Sequence, residues 1–446
     1  MMQKYLNPKK NLILCLVMFK YFSLIVLLTS VFIFSCKKDG DDISPSISIS
    51  SPFNNQQING FDTLIIRGTI TDNKNIKYVS VVLRNQNNIN VLPTVSFEPN
   101  SPSFNLNTAY FFNDIHMPSG EYHFKISASD GENITNKFIT IFYGEVPKER
   151  TGVFFYDNNG SSTSIYSLTG TNATLFKTLP GDFIGGAANS FNQQLLSVGS
   201  LSGNLTAVDV TFGDVLWEVS NSTSSTPFFM HLFFQNKEVY ISLRNGEIRA
   251  YGGNGNPKFL ALAFPNFFGE EGLVHTNLFV SEQKAIGNND RRLSLYWTAS
   301  GALVQQTTLF EDVLGLYSLS TNKIVLLAND NNTGNAKIQI YDISANAKST
   351  PFSLAAFPID DVEEINSGIY LIAQNGNLVL VNANSFSTLP YLSGVNATKI
   401  KYDAFTNELY VISGNTITVY DFSSKTIKGT YSHTSNVLDL VFLFNK

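Results

Sequence analysis

The stretch ELYVISGNTITVYDFSS, residues 408–424, contains an apolar run, Leu409–Ile412, and an alternating polar and apolar run, Thr416–Val419, separated by the turn Ser413-Gly414-Asn415. A short apolar run bounded by turn residues is consistent with a buried β-strand, and alternation with a period of two is typical of a half-buried one. Gly and Asn tolerate the positive backbone angles that a tight hairpin requires. The stretch therefore predicts two adjacent antiparallel strands.

The end of the second run recurs along the chain. The aligned positions are Tyr166, Val208, Tyr251, Tyr296, Tyr341, Val381 and Tyr420, and the differences between successive residue numbers are 42, 43, 45, 45, 40 and 39. A period of about 40 with several short strands per repeat is typical of a β-propeller. Seven repeats predict a seven-bladed β-propeller over residues 151–446.

The two ends of this array complement each other. Residues 152–160, GVFFYDNNG, match the second strand of the other repeats, so the first repeat lacks its innermost strand. One spare strand, NVLDLVFLF at residues 436–444, follows the seventh repeat. We expect this C-terminal strand to fill the missing place and close the ring, which removes exposed sheet edges.

Two repeats carry family resemblances. Residues 407–431 resemble a YVTN-type propeller repeat. Residues 203–220, GNLTAVDVTFGDVLWEVS, resemble the tryptophan-docking repeat of quinoprotein-like propellers. The matching positions are Ala207, Asp209, Gly213 and Trp217. Only one repeat has the Trp pattern, and seven repeats are one fewer than the usual quinoprotein ring, so we expect neither a bound quinone nor another cofactor.

Several side chains in these repeats are predicted to be structural. Trp217 is expected to pack between blades, because buried aromatic residues dominate core energetics. Asp209, Asp342 and Asp421 each follow the second run of their repeat, where an aspartate accepts hydrogen bonds from turn amides.

Residues 46–144 predict a separate module of short alternating strands. The predicted strands are 46–50, 63–71, 76–84, 122–130 and 136–144. About 100 residues with around seven strands and Asn/Asp/Gly turns predict a β-sandwich that resembles bacterial Ig-like modules. Such modules act as spacers or adhesion units. The charged sequence EVPKERTG, residues 145–152, is interpreted as a linker.

Residues 1–35 have the order of a secretory signal peptide. Lys4, Lys9 and Lys10 precede a long apolar run, and a positive segment before an apolar one is typical of such a signal. A transmembrane helix is the alternative, because the run is long enough to span a bilayer if Lys20 is tolerated. A start at Met18 gives a signal of ordinary length, so Met18 is a candidate for the true start.

The signal ends in IFSC, residues 33–36, which resembles the lipobox of bacterial lipoproteins. That resemblance implies cleavage before Cys36 and lipidation of this cysteine, which anchors the protein to a membrane. Residues 36–45 form a polar tether too hydrophilic to fold. Their acidic stretch is similar to a surface-export tag, so we expect an outer-membrane lipoprotein at the cell surface rather than on the periplasmic side.

Charge and cysteine content exclude several functions. The chain has a formal net charge of -5 and a pI near 5.6. It has no dense Lys/Arg block after the signal, which argues against nucleic acid as a partner. The two cysteines are Cys15 and Cys36. The folded region therefore has no disulfide and no Cys-based metal site.

The innermost strands carry the candidate ligand-binding residues. Their predicted starts include His231, His275, Asp312 and Asp361, which come from four different repeats and can meet only around the propeller axis. Histidine and carboxylate groups suit a divalent metal or general acid–base chemistry. The alternative is that these are ordinary solvated groups at the mouth of the channel.

The sequence favours a lipid-anchored, extracytoplasmic binding or scaffold protein that presents a propeller to a protein or glycan partner. Rigid scaffolds with variable loops suit binding. No HExxH, GxSxG, Walker or CxxC motif is present. One alternative is a lyase or hydrolase that acts on polysaccharide at the channel mouth. Another is an envelope assembly factor resembling quinoprotein-like scaffolds.

Overall fold

The computed structural model describes residues 42–221 and 226–446, and every element of regular secondary structure there is a β-strand. The all-β class predicted from the sequence is therefore confirmed. The predicted signal peptide, Cys36 and most of the tether lie outside the described residues. Within the described ranges no helix could span a membrane. The chain divides into an N-terminal unit, Met1–Val146, and a C-terminal unit, Pro147–Lys446.

From residue 42 onward, the N-terminal unit contains eight strands in two sheets. The strands are β1 (Ser46–Ser51), β2 (Gln56–Asn59), β3 (Thr63–Ile76), β4 (Tyr78–Asn85), β5 (Val95–Phe97), β6 (Ser101–Phe111), β7 (Gly120–Ser129) and β8 (Ile134–Gly144). One sheet has the order β1-β3-β6 and the other the order β2-β8-β7-β4-β5. All neighbours are antiparallel except the parallel pair β2 and β8.

One apolar core joins these two sheets. Ile66 and Leu106 come from the three-stranded sheet, and Leu83, Phe124 and Ile141 come from the five-stranded sheet. Alternate residues of β3 and β7 are buried, because successive side chains of a strand point to opposite faces. The period of two in the sequence therefore places one face of each sheet in this core.

In the described residues of the C-terminal unit, 147–221 and 226–446, there are seven four-stranded antiparallel sheets. The first combines β9 (Arg150–Asn158), β10 (Ser162–Thr169) and β11 (Asn172–Pro180) with the last strand of the chain, β36 (Asp439–Phe444). The second to fourth sheets consist of β12 (Gly185–Asn189), β13 (Gln194–Val198), β14 (Leu205–Asp209), β15 (Val215–Val219); β16 (Phe229–Gln235), β17 (Glu238–Leu243), β18 (Glu247–Tyr251), β19 (Pro257–Leu262); and β20 (Phe267–His275), β21 (Leu278–Ala285), β22 (Arg291–Trp297), β23 (Leu303–Leu309).

The last three sheets follow in the same way. They consist of β24 (Glu311–Ser320), β25 (Lys323–Asp330), β26 (Ala336–Asp342), β27 (Ala347–Ser353); β28 (Asp361–Asn366), β29 (Ile369–Gln374), β30 (Asn377–Asn382), β31 (Ser387–Ser393); and β32 (Lys399–Asp403), β33 (Glu408–Ser413), β34 (Thr416–Asp421), β35 (Ile427–Ser432). The second to seventh sheets are simple meanders of four consecutive strands, whereas the first takes its inner strand, β36, from the end of the chain. The repeat-like, propeller-type organisation predicted from the spacing is therefore present.

All seven aligned positions of the sequence repeat lie in the third strand of a sheet. In five sheets the register with the fourth strand shifts next to this position, at Tyr166, Val208, Tyr251, Tyr296 and Tyr420. A bulge of this kind increases the local right-handed twist of a sheet. In these five sheets the repeating Tyr or Val thus lies at a bulge.

The first strands of the sheets are β36, β12, β16, β20, β24, β28 and β32. Each contacts the first strands of the two neighbouring sheets, and β36 contacts both β12 and β32. Strand β36 also pairs antiparallel with β9, from Asp439 opposite Tyr156 to Phe444 opposite Arg150. The last strand of the chain is thus hydrogen-bonded to the first strand of the C-terminal unit.

The residues predicted to be structural have structural contacts. Asp209, Asp342 and Asp421 each accept a hydrogen bond from a backbone N–H three residues further on, at 2.7–3.0 Å. Trp217 of the second sheet donates Nε1–H to the carbonyl of Gly253 in the third sheet at 2.9 Å. A Cβ on Gly255, whose φ is +76°, would lie 2.8 Å from the Trp217 ring. The structural interpretation of these four side chains is confirmed.

Candidate functional site

The first strands run in the same direction and begin at one face of the C-terminal unit, which we call the leading face. Two neighbouring first strands, β28 and β32, show this direction, because the residue numbers of their contacting residues increase together. The carboxylate of Asp361 accepts from Ile400 N at 2.7 Å, and Glu363 accepts from Tyr402 N at 3.2 Å. Loops that join second to third strands and fourth to first strands therefore lie at the leading face, and the remaining turns lie at the opposite, trailing face.

Three of the four predicted ligand-binding residues lie near the leading face. Asp361 is the first residue of β28, Asp312 the second of β24 and His231 the third of β16. His275 is the last residue of β20. It follows Glu271 by four residues, which corresponds to about 13 Å along a strand. The structure therefore brings His231, Asp312 and Asp361 to one face and places His275 at the other end.

The side chain of His275 joins two sheets. Its Nδ1 lies 2.8 Å from Ser318 Oγ, and its Nε2 lies 2.9 Å from the carbonyl oxygen of Thr321. The residue is only 3% exposed. Both ring nitrogens thus contact groups of the next sheet at the trailing side.

Asp312 belongs to a buried ionic network around Arg291. Nη2 of Arg291 lies 2.8 Å from Asp312 Oδ1, and Nη1 contacts Glu270 and Glu282 at 2.5 and 2.6 Å. Arg291 is 3% exposed, whereas the side chain of Asp312 is 50% exposed. Asp312 therefore holds the arginine on one side and faces solvent on the other.

Asp361 forms one of several side-chain bridges between first strands. Asp361 accepts a hydrogen bond from Ile400 N. In the same way, Asp439 Oδ2 accepts from Gly186 N at 3.3 Å, and Gln235 Oε1 accepts from Val274 N at 2.7 Å. Neighbouring first strands belong to different sheets, so their inner backbone groups need other partners. These side chains supply them and connect the sheets.

Charged side chains that the sequence analysis did not select lie beside His231 and Asp361. We call the whole set the axial cluster, and it consists of His231, Glu271, Asp361, Glu363, Lys399, Lys401 and Asp439. Nε2 of His231 lies 4.0 Å from Glu271 Oε1. Lys399 Nζ lies 3.3 Å from Asp439 Oδ1, and Lys401 Nζ lies 3.7 Å from Glu363 Oε2. Five first strands contribute to the cluster.

The environment of the axial cluster shifts the pKa values of His231, Glu271, Asp361, Glu363 and Lys401. Burial, with the charge of Lys399, lowers the pKa of His231 to about 4, so its imidazole is neutral at pH 7. Burial raises the pKa of Glu271 well above its usual range, and Glu282 and Asp361 add to this shift. The charge of Lys399 in the seventh sheet acts on both His231 in the third sheet and Glu271 in the fourth.

These shifts determine the chemistry that the axial cluster offers. A neutral imidazole and a carboxyl with a raised pKa both donate and accept hydrogen bonds. The charge of Glu363, opposed by burial, raises the pKa of Lys401, which keeps this ammonium group charged. Among residues 42–221 and 226–446, no group of three or more His, Cys, Asp or Glu side chains is arranged to hold a metal ion. The cluster is suited to a polar ligand.

A signal for the axial cluster is present in the sequence. Lys399 and Lys401 alternate with Ile400 and Tyr402 in β32, and Glu363 lies two residues after Asp361 in β28. Charges with a period of two on an inner strand point to one face of that strand. This pattern could have identified Glu363, Lys399 and Lys401 had the strand direction been known.

Comparisons with known proteins give no family. No protein-family model matches the sequence, and no curated protein matches it. A quinoprotein alcohol dehydrogenase-like protein from Bacteroides thetaiotaomicron is similar in structure, with 13% identity, 90% of this chain and 99% of that chain covered, and a TM-score of 0.44. Apo AztD from Citrobacter koseri has 12% identity, coverages of 66% and 98%, and a TM-score of 0.41.

BamB from Moraxella catarrhalis is a third similar structure. It has 12% identity, covers 56% of this chain and 76% of that chain, and has a TM-score of 0.38. With TM-scores below 0.5, these similarities assign neither a family nor a function to the chain.

Proposed function

We propose that the protein is a lipid-anchored, extracytoplasmic binding protein whose leading face meets a protein or glycan. The axial cluster carries this proposal. It brings ionisable side chains from five first strands to one place. Convergent ionisable groups with shifted pKa values are candidates for functional sites.

In this proposal the C-terminal unit is a seven-bladed β-propeller closed by β36. The seven four-stranded sheets, the repeat of about 40 residues and the pairing of β36 with β9 favour this arrangement. A closed ring fixes the leading face, so the loops there can vary without loss of the scaffold.

The N-terminal unit is proposed to be an Ig-like spacer. Its two mostly antiparallel sheets share one apolar core, as in a β-sandwich. It lies in the sequence between the tether and the C-terminal unit. A folded module at this position would keep the propeller away from the membrane.

Lipid on Cys36 is proposed to anchor the chain in the outer membrane, at the cell surface. A tether and a lipidated cysteine suit that role, because two or more acyl chains give stable anchoring. Protease added to intact cells should then degrade the C-terminal unit. Complete protection in intact cells, with degradation after lysis, would place the protein on the periplasmic side.

The binding proposal is tested with the mature chain shortened by one residue, so that it starts at residue 37 and lacks the lipidated Cys36. It is titrated with neutral hexasaccharides and with any envelope protein captured on it and then purified. We expect saturable binding to one of these ligands and at least tenfold weaker binding by Glu271→Gln, which removes an ionisable group of the axial cluster. Phe212→Ala is the control, because Phe212 is 82% exposed in a trailing-face turn. Equal binding by wild type and Glu271→Gln would contradict the proposed site.

A second candidate function is polysaccharide cleavage, as a lyase or hydrolase. The observation that favours it is the neutral His231 at 4.0 Å from Glu271, whose pKa is raised. Such a pair has the components of general acid–base catalysis. Release of new reducing ends from a bound polysaccharide, abolished by both His231→Gln and Glu271→Gln, would favour the enzyme. Binding without any product favours the binding protein.

A further inference from the structure

A groove lies on the leading face between the fourth and fifth sheets. It has a volume of about 480 Å³. Its lining includes Asn289, Arg291, Arg292, Thr308, Phe310 and Asn332. A neighbouring cavity of about 300 Å³ also contains Asn289 and reaches Arg244 in the third sheet. The two together form an elongated depression that can hold several linked units of a ligand rather than one.

An exposed aromatic ring stands at this groove. Phe310 is 63% exposed, although it lies between β23 and β24 and its backbone is fixed. Its N–H donates to Glu311 Oε2 at 3.0 Å, and its carbonyl accepts from Asn331 N at 3.0 Å. The side-chain amide of Asn331 donates through Nδ2 to the backbone carbonyl of Asn289 across the groove at 3.4 Å. The ring is therefore held by an ordered backbone, with Lys348 Nζ 5.7 Å from its centroid and most of its surface exposed.

Polar side chains without partners lie beside this ring. Within the described ranges, the amides of Asn289 and Asn332 and the hydroxyl of Thr308 make no hydrogen bond, and all three residues are exposed. Each amide can both donate and accept. A planar aromatic surface next to such groups matches a sugar, which has an apolar C–H face and hydroxyl groups at its edge.

The charges around the groove argue for a neutral ligand. Most of the cations here are already paired with carboxylates. The ion pairs are Arg291 with Glu270, Glu282 and Asp312, Lys284 with Glu270, Lys337 with Glu311, and Lys348 with Glu311. Arg292 donates to Gln306 Oε1, and its guanidinium lies 3.9 Å from the Phe264 ring centroid. A polyanion would have to compete with these existing partners.

We propose that this groove binds a neutral oligosaccharide, with one sugar ring stacked on Phe310 and hydroxyl groups bonded to Asn289 and Asn332. The inference rests on the proposed binding function and names the ligand class and a second contact site on the same face. The groove includes Arg291, which pairs with Asp312 on an inner strand.

The test is calorimetric titration of the mature chain from residue 37 with neutral hexasaccharides of glucose, mannose, galactose or xylose. At least one should bind saturably. Phe310→Ala and the double variant Asn289→Ala/Asn332→Ala should each weaken that binding by about tenfold, which is about 1.4 kcal/mol. Phe310→Trp keeps a stacking surface and should retain binding.

The controls are Phe212→Ala and Asn172→Ala, which remove an exposed aromatic ring from a trailing-face turn and an exposed amide from the start of β11 at the same face. Both should bind like wild type. If no hexasaccharide binds while an envelope protein does, the sugar ligand is wrong and the binding function stands. If a hexasaccharide binds with an affinity that Phe310→Ala leaves unchanged and Glu271→Gln reduces, the groove is wrong and the axial site stands. If nothing binds, both proposals fail.

Discussion

If β36 closes the propeller, as proposed, shortening one of its buried side chains must destabilise the C-terminal unit. Leu440 is completely buried and lies opposite Phe155 of β9, in a cluster with Tyr410 and Ile412 of the seventh sheet. Leu440→Ala should lower the free energy of unfolding by about 2–5 kcal/mol, which includes the cavity left behind. That is a large part of the 5–15 kcal/mol typical of a domain.

Deleting residues 435–446 should lower the free energy of unfolding more than Leu440→Ala does. Val437, Leu440 and Leu443 are buried in this segment. At about 1.5–3 kcal/mol for each side chain the loss is about 5–9 kcal/mol, as an upper estimate. The truncated chain should therefore not fold its C-terminal unit at 37 °C.

Tryptophan fluorescence in urea measures this effect selectively, because both tryptophans, Trp217 and Trp297, lie in the C-terminal unit. Leu438→Ala is the matched control, since Leu438 lies just before β36 and is 39% exposed. It should cost less than about 1 kcal/mol. The closure would be refuted by equal urea midpoints for Leu440→Ala and Leu438→Ala, or by a truncated chain with the wild-type transition.

Three further predictions concern the leader and the axial cluster. Labelled palmitate should enter the wild-type protein and not Cys36→Ala, and label that persists in the variant would exclude lipidation there. A gene that starts at Met18 should give as much lipidated product as the full-length gene, whereas a large decrease would show that residues 1–17 are needed. The folded state lowers the pKa of His231 from about 6.5 in the unfolded chain to about 4. The unfolded state therefore takes up the proton first, and stability falls as the pH decreases from about 6.5 to 4. His231→Gln should lose less stability than wild type between pH 7 and pH 4.5 in urea titrations, and equal losses would contradict the shift.

The repeat was the part of the fold that the sequence predicted best. Tyr or Val at each aligned position lies in a third strand, and five of them adjoin a bulge. Val208, Tyr251, Tyr296, Tyr341 and Val381 are buried, and a buried position in a repeated strand accepts few substitutes, which keeps the pattern visible in the sequence. The acidic residues that follow, such as Asp209 and Asp421, mark turns whose N–H groups need an acceptor.

Strands with weak alternation were missed. Strand β6, SPSFNLNTAYF, contains Pro102 and several polar residues, and only Leu106 and Tyr110 are fully buried in it. Strands β2 and β5 have four and three residues. Short or partly exposed strands depend on their neighbours for stability, and a single sequence does not contain that information.

The candidate site was predicted only in part, because both ends of the inner strands are polar. His275 and Asp361 were both predicted to lie at the start of an inner strand, yet His275 ends β20 and Asp361 begins β28. The difference follows from the length of β20, which has nine residues, whereas β28 has six. The pairing of Lys401 with Glu363 depends on which strands become neighbours around the axis. Sequence spacing alone does not give that relation.

Hydrogen–deuterium exchange with and without a bound ligand tests the central claim most directly. The mature chain from residue 37 is compared alone and saturated with the hexasaccharide or envelope protein that binds it best. If the leading face is the binding surface, slower exchange will be confined to its loops, including residues 286–290 and 331–335, and to the starts of the first strands. Protection confined to the N-terminal unit or to trailing-face turns such as residues 210–214 would contradict the account.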